Sequence, residues 1–299
     1  MKRLNLFTSV VFLFTAVILE AQKPVVVYED SILFGNRKYP GFTVTIPDVN
    51  YEKTLTNWIK ELEAGTKSKV MTENGEMTIF GAIKKVISLN PVNVYSKLIN
   101  QDTVLILAAC FETKKDVYVE PSSGDIQLTA TRNYMKEFAK TQYVNLIKDE
   151  LMAEEKTLRG LENDLNKLEN TSSRTKKGAQ RSKSTIKDEQ ERLLAMNNEL
   201  IQLSDEIIVQ NNQLIAMEAG PDKDVKATQV QELEKRKKKL QNDIDTAGKR
   251  ISQSKSQIEK ADKALPKNES EQEKIKDKIR DQEEVVRNVT QKLNTVKAY

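Results

Sequence analysis

The sequence predicts an α+β head, an antiparallel sheet with one covering helix, followed by a long antiparallel α-helical coiled-coil hairpin jointed near its middle. Three observations predict it. Apolar residues keep heptad phase from Val144 to Met217. A Gly220-Pro221 step separates that run from a second heptad run. The aromatics and five of the seven prolines lie mostly before residue 134, in short alternating segments divided by turn residues.

In chain order, residues 1–21 read as a secretory signal. Lys2 and Arg3 form a basic start, Leu6 to Leu19 an apolar run, and Ala21 a small residue before a cut ahead of Gln22. The apolar run of about 14 residues is short for a membrane span. No cysteine sits at the cut to take a lipid anchor, so the mature chain is expected to be soluble and exported, in a bacterial periplasm.

The head is expected over 22–132. Lys23 to Tyr28 and Gly41 to Ile46 read as strands, with Pro47-Asp48 as a stop and a cap. Tyr51 to Ala64 reads as an amphipathic helix with Leu55, Trp58, Ile59 and Leu62 on one face. Further strands are predicted at Lys67 to Thr72, Met77 to Ser88, Val92 to Ile99 and Thr103 to Thr113, and a last one at Val117 to Glu120 or Asp125 to Ala130. Asn74-Gly75, Asn90-Pro91, Gln101-Asp102, Lys114 to Asp116 and Ser122 to Gly124 supply turns between them. Short connections imply a meander. Cys110, the single cysteine, lies in an apolar strand and reads as a core residue.

The hairpin is expected over 133–299, its first helix beginning near Thr131 or Asn133. Tyr134, Phe138 and Val144 are spaced to dock its first turns on the sheet. The arms are 133–219 and 222–297, and the turn is 219–222, where Gly220 suits a helix end and Pro221 a helix start. Eleven heptads from Val144 cover 74 residues, about 110 Å if straight, which is more than one globular core spans. Such a stripe needs a partner helix. The second run supplies it, through Val230, Ile244, Ile251, Ile258, Ile279 and Leu293. The polar seam residues Glu154, Glu189, Gln210, Lys237 and Gln282 are expected to meet one another or a wider interface. Two weak zones fall at one height: 170–182, with Gly178, and 264–270, with Pro266. They suggest a joint, either a hinge in a rod or a fold-back into a four-helix bundle.

The chain has no histidine, which excludes Ser-His-Asp and Cys-His pairs and histidine-based zinc sites. No Gly-rich phosphate loop is present. Asp48 with Glu52, and Glu73 with Glu76, are the nearest carboxylate pairs in the head, and each reads more simply as a cap or a turn flank. No catalytic, cofactor or metal residue is assigned. The net charge of +4 falls to +3 without Lys2, Arg3 and Glu20, which is not a nucleic-acid protein's balance. Arg174, Lys176, Lys177, Arg181, Lys183 and Lys187 accumulate without an intervening acid. They could touch an anionic partner such as lipid headgroups or an acidic protein; otherwise they are a solvated face.

In general shape the arm resembles the helical hairpins of periplasmic adaptor proteins and the tentacles of prefoldin-like chaperones. No motif of either family is present, so no residue role is carried over. The expectation is an exported, non-enzymatic scaffold or adaptor that meets other envelope proteins, or itself, through the hairpin. One alternative is a holdase-type chaperone, with apolar residues exposed near Leu214, Ile215 and Met217. Another is a ligand-binding head with a pocket lined by residues such as Trp58 and Phe80.

Overall fold

The computed structural model describes residues 25–101 and 104–298. The expected signal at 1–21 lies outside them, as does Asp102 of one expected turn. The chain divides into two compact units, one running to Glu154 and resuming at Val285, the other Glu155–Glu284. The head therefore does not stop at 132.

The first unit is built on a seven-stranded antiparallel sheet. Its strands are β1 (Val27–Phe34), β2 (Arg37–Pro47), β3 (Met71–Glu73), β4 (Glu76–Ala82), β5 (Val92–Gln101), β6 (Val104–Lys114) and β7 (Val117–Tyr118), in the order β1-β2-β6-β5-β4-β3 with β7 beside β6. The expected meander holds from β3 to β6. It breaks at β2, which pairs with β6, while helix α1 (Tyr51–Glu63) carries the chain on to β3. β6 takes the interior place because its apolar run is buried on both faces, and an edge would leave it exposed.

Sequence chemistry sets the local bounds. Asn74 and Gly75 both have positive φ, 50° and 79°, as a two-residue hairpin turn between β3 and β4 requires. The strand expected over Met77 to Ser88 ends at Ala82, because Gly81, at φ 77°, shifts the register against β5. The strand expected at Lys67 to Thr72 shrinks to β3, since the Glu63 carboxylate takes the Val70 N–H at 3.0 Å. The α1 cap is Asn50, whose side-chain oxygen accepts the Lys53 N–H at 2.9 Å; Asp48 instead adopts a positive φ of 54°.

The second long-range element is α2 (Asp125–Ala216), which starts earlier than Thr131. Asp125 to Ala130, read as a possible strand, is its first turn and a half. Leu128 and Thr131 are buried three residues apart, a helical spacing. On one side of the sheet α1 and α2 close a core of Phe42, Ile46, Trp58, Leu107, Phe111 and Met135. The Trp58 indole N–H donates to the buried Ser96 hydroxyl at 2.9 Å, and its ring meets Phe138 edge-on at 4.7 Å. Lys84, also buried, donates to the Glu61 backbone carbonyl and pairs with its carboxylate at 3.3 Å, fastening the loop after β4 to α1. Further along α2, Tyr143 and Ile147 bury against Val289, Leu293 and Val296 of α3 (Pro221–Ala298).

In the second unit the same two helices run antiparallel. Contacts from Lys176 to Glu269 (3.1 Å), Ser182 to Gln257 (2.8 Å), Glu189 to Arg250 (2.9 Å) and Glu199 to Arg236 (2.6 Å) climb one helix as they descend the other. The seam is the heptad set: Met196, Leu203 and Ile207 bury against Leu240 and Ala247. Two polar seam residues find partners across the pair, though not each other. Glu189 meets Arg250, and Gln210 accepts from Lys226. The turn spans 217–220, two residues earlier than the expected 219–222. Pro221 is the first residue of α3, where a missing N–H costs nothing, and the Gly220 carbonyl accepts from Lys223 at 3.0 Å.

The expected joint is not a break. Both helices run unbroken through Gly178 and Pro266. Local propensity is overridden by pairing on either side of each: Ser172 and Ser182 are buried around Gly178, while Ala261 is buried before Pro266 and Asn268 donates to the Leu168 carbonyl at 3.2 Å after it. The seam there is thin rather than interrupted.

Candidate interaction surfaces

The six predicted basic residues share a height on one helix, and all are exposed. Lys176 pairs with Glu269, and Lys187 lies 4.0 Å from Glu191. Arg174, Lys177, Arg181 and Lys183 meet no acid among the described residues. The antiparallel pairing adds a second source of charge that the sequence run alone does not show. Between the Arg250–Glu189 and Lys176–Glu269 contacts, α3 brings Arg250, Lys255, Lys260, Lys263 and Lys267 alongside, against Glu259, Asp262 and Glu269. With the six of α2, and with Asp188 and Glu189 counted, eleven basic and five acidic side chains share this stretch of helix pair. Positive potential concentrates where the seam is thinnest.

A second surface lies on the side of the sheet away from α1. Here Tyr39, Tyr95 and Tyr118 sit over Ile32, Ala108 and Cys110. Tyr39 stacks on Tyr95 at 6.1 Å and 8°, Tyr118 meets Tyr39 at 5.0 Å, and Phe80, half exposed, stands edge-on to Tyr95. The rings lie close because the residues below them are small. A Cβ on Gly41 would come within 2.6 Å of both the Cys110 Sγ and the Ile32 Cδ1.

Glu112 is buried at the edge of this cluster. Burial pushes its carboxyl up, but the Asn93 amide at 2.7 Å, the Asp116 N–H at 2.8 Å and the Tyr95 hydroxyl at 3.2 Å together hold it below the ordinary value. Burial, with the Glu112 charge beside it, pushes the Tyr95 hydroxyl up to about 12. Burial likewise pushes the Cys110 thiol up to about 12. Each of these shifts runs away from neutrality, and what the surface presents outward is ring faces.

The expected pocket of Trp58 and Phe80 does not form. Trp58 is sealed in the core under α1, and Phe80 stands on the opposite face of the sheet. The reason is alternation. Ile79 points inward, so Phe80 points out. The carboxylates also stay apart in role: Glu76 accepts the Gly35 N–H at 3.2 Å, a turn-to-strand tie.

A third surface was named from sequence only at its tip, Ile215, and missed along the rest of its length. Leu194, Ile201, Ile208 and Ile215 of α2 are 67%, 62%, 58% and 78% exposed, at intervals of seven. The signal was present as apolar doublets, Leu193-Leu194, Leu200-Ile201, Ile207-Ile208 and Leu214-Ile215. The first member of each doublet belongs to the seam; the second faces away from it.

No family model matches the chain, and no curated protein is similar to it. Among solved structures, a crystal structure of the Smc head domain with a coiled coil and joint, derived from Pyrococcus yayanosii, aligns at 12% identity and a TM-score of 0.33. The alignment covers 91% of this chain and 69% of that one. A TM-score this low assigns neither a fold family nor a function.

Proposed function

We propose that the chain is an exported, non-enzymatic scaffold or adaptor of the cell envelope, whose coiled-coil hairpin offers surface for protein–protein contact. The observation that supports this reading most is the basic stretch of the helix pair, where four arginines and lysines of α2 stand exposed without an acid. The absence of histidine supports the non-enzymatic part. The signal-like start supports export, and no helix among the described residues is long and apolar enough to cross a membrane. The partner of the basic stretch is an acidic protein surface.

A photo-crosslinking residue at Lys183 in producing cells tests this, with one at Gln241 as the control. The expected product is a salt-sensitive adduct to one envelope protein that disappears with Arg181→Glu and Lys183→Glu together. A chain that fractionates with the cytoplasm, or an adduct indifferent to the charge reversal, refutes the reading.

The exposed Ile215 beside the turn favours a second reading, a holdase that shields unfolded clients. Suppression of aggregation of a reduced, unfolded model substrate at equimolar chain would support it; none at tenfold excess would end it.

A further inference from the structure

The outward face of α2 between 194 and 216 has the composition of an interface rather than of a solvated helix. With Leu193 at heptad position a, the outward positions are b, c and f. Over 194–216 these hold eleven residues and one charge, Asp205; over the preceding 173–191 they hold six charges in nine. On α3 at about the same height, 224–246, six of eleven are charged. Loss of charge is thus confined to one helix and one stretch, where the four exposed Leu and Ile side chains form a stripe about 32 Å long.

We propose that this face binds the same face of a second copy of the chain, antiparallel, about a two-fold axis between Ser204 and Asp205. The seven-residue spacing makes the stripe read alike in both directions, as an isologous contact requires. Leu194 then meets the copy's Ile215, and Ile201 its Ile208. On the flanks Asn197 faces Asn211 and Asn198 faces Asn212, so carboxamides meet carboxamides. Charge selects the antiparallel arrangement. In a parallel one, the basic stretches of two copies would lie side by side. Here each copy's α2 ends at Ala216, opposite about residue 193, short of the other's Arg174 to Lys187. The single like-charge contact is Asp205 with its own mate at the rim.

This inference deepens the interaction reading by naming one occupant, and it is tested without reference to envelope partners. Sedimentation of the purified chain from about 1 to 100 µM is expected to show the mass of two chains. Ile201→Lys with Ile208→Lys returns it to one chain with helix content retained by circular dichroism. Val225→Lys, an exposed apolar residue of α3 off the stripe, leaves it at two. Ser204 lies beside the axis, so Ser204→Cys is expected to give an intermolecular disulfide under mild oxidation, while the buried Cys110 stays reduced. Asp205→Asn tightens association about two-fold by removing the like-charge contact.

A single-chain mass at 100 µM leaves the stripe to a client or another protein's helix and overturns the proposal. A dimer indifferent to the Ile201 and Ile208 changes overturns it equally. A dimer in which Ser204→Cys fails to crosslink overturns the antiparallel arrangement. None of these results touches the Lys183 crosslink, which tests the scaffold reading separately.

Discussion

Replacing Pro266 by alanine tests whether α3 is continuous. Pro266 sits inside a 78-residue helix, exposed and facing away from the seam. It supplies no N–H to the Asp262 carbonyl, crowds that carbonyl, and disfavours the helical conformation at Leu265. A proline in a helix interior is about 3 kcal/mol less favourable than alanine. Because no contact of Pro266 itself opposes the change, Pro266→Ala should recover most of that, about 2–3 kcal/mol. Gly178→Ala on the facing helix, where an added Cβ meets nothing within 4 Å, should add about 1 kcal/mol. Urea unfolding followed at the helical circular-dichroism band reads both. With a slope of about 2–3 kcal/mol per molar, Pro266→Ala raises the midpoint by about 1 M. If α3 instead broke at 264–270 and restarted with Ser270 and Glu273 as a capping box, Pro266 would lie in a loop. Alanine would then shift stability by less than about 0.5 kcal/mol in either direction, and such a result refutes the continuous helix.

Four further outcomes follow from the packing. Gly41→Ala forces a methyl against the Cys110 sulfur and the Ala109 carbonyl, so thermal melting should show a loss of about 1–3 kcal/mol. Arg250→Ala leaves Glu189, buried in the seam with its Oε2 lacking any hydrogen bond, without its 2.9 Å partner. It should cost about 1–3 kcal/mol in urea, whereas Glu189→Leu with Arg250→Met should be near neutral. Because the folded-state value of Glu112 lies below the ordinary 4.5, its contribution to stability is complete above that value and is lost as pH falls through the lower one. Glu112→Gln should flatten this part of an acid titration of stability. Cys110, buried and with its thiol pushed up, should react with a disulfide reagent at pH 8 only at the rate of unfolding.

The seam of the helix pair was legible because heptad spacing is a local pattern that needs no knowledge of distant contacts. Its polar members were not, since Glu189 finds Arg250 only once the turn length fixes the register. Asp125 to Ala130 alternates well enough to pass for a strand, and only the burial of Leu128 and Thr131 on one helical face decides otherwise. The pairing of β2 with β6 could not be read, because it joins strands that α1 and three other strands separate in sequence. For the same reason the tyrosine cluster stayed hidden: Tyr39, Tyr95 and Tyr118 come from three strands whose facing depends on that pairing. Gly178 and Pro266 misled in the opposite sense, since strong local signals for a break yield to contacts on both sides. The apolar doublets of α2 were plain to see, but an a position beside a b position reads as one seam until burial separates them.

The first unit is interrupted in sequence, leaving at Glu154 and resuming at Val285. Within it the two ends of the interruption are already fastened, by Lys292 to Glu150 at 3.3 Å and by Val289, Leu293 and Val296 around Ile147. The intervening 155–284 therefore behaves as a cassette whose length is adjustable in quanta. Deleting seven residues from each arm at matched heights preserves side-chain phase on both, so longer and shorter forms are interchangeable on an unaltered base. Deletions that are not a multiple of seven shift the apolar face out of heptad phase with the seam.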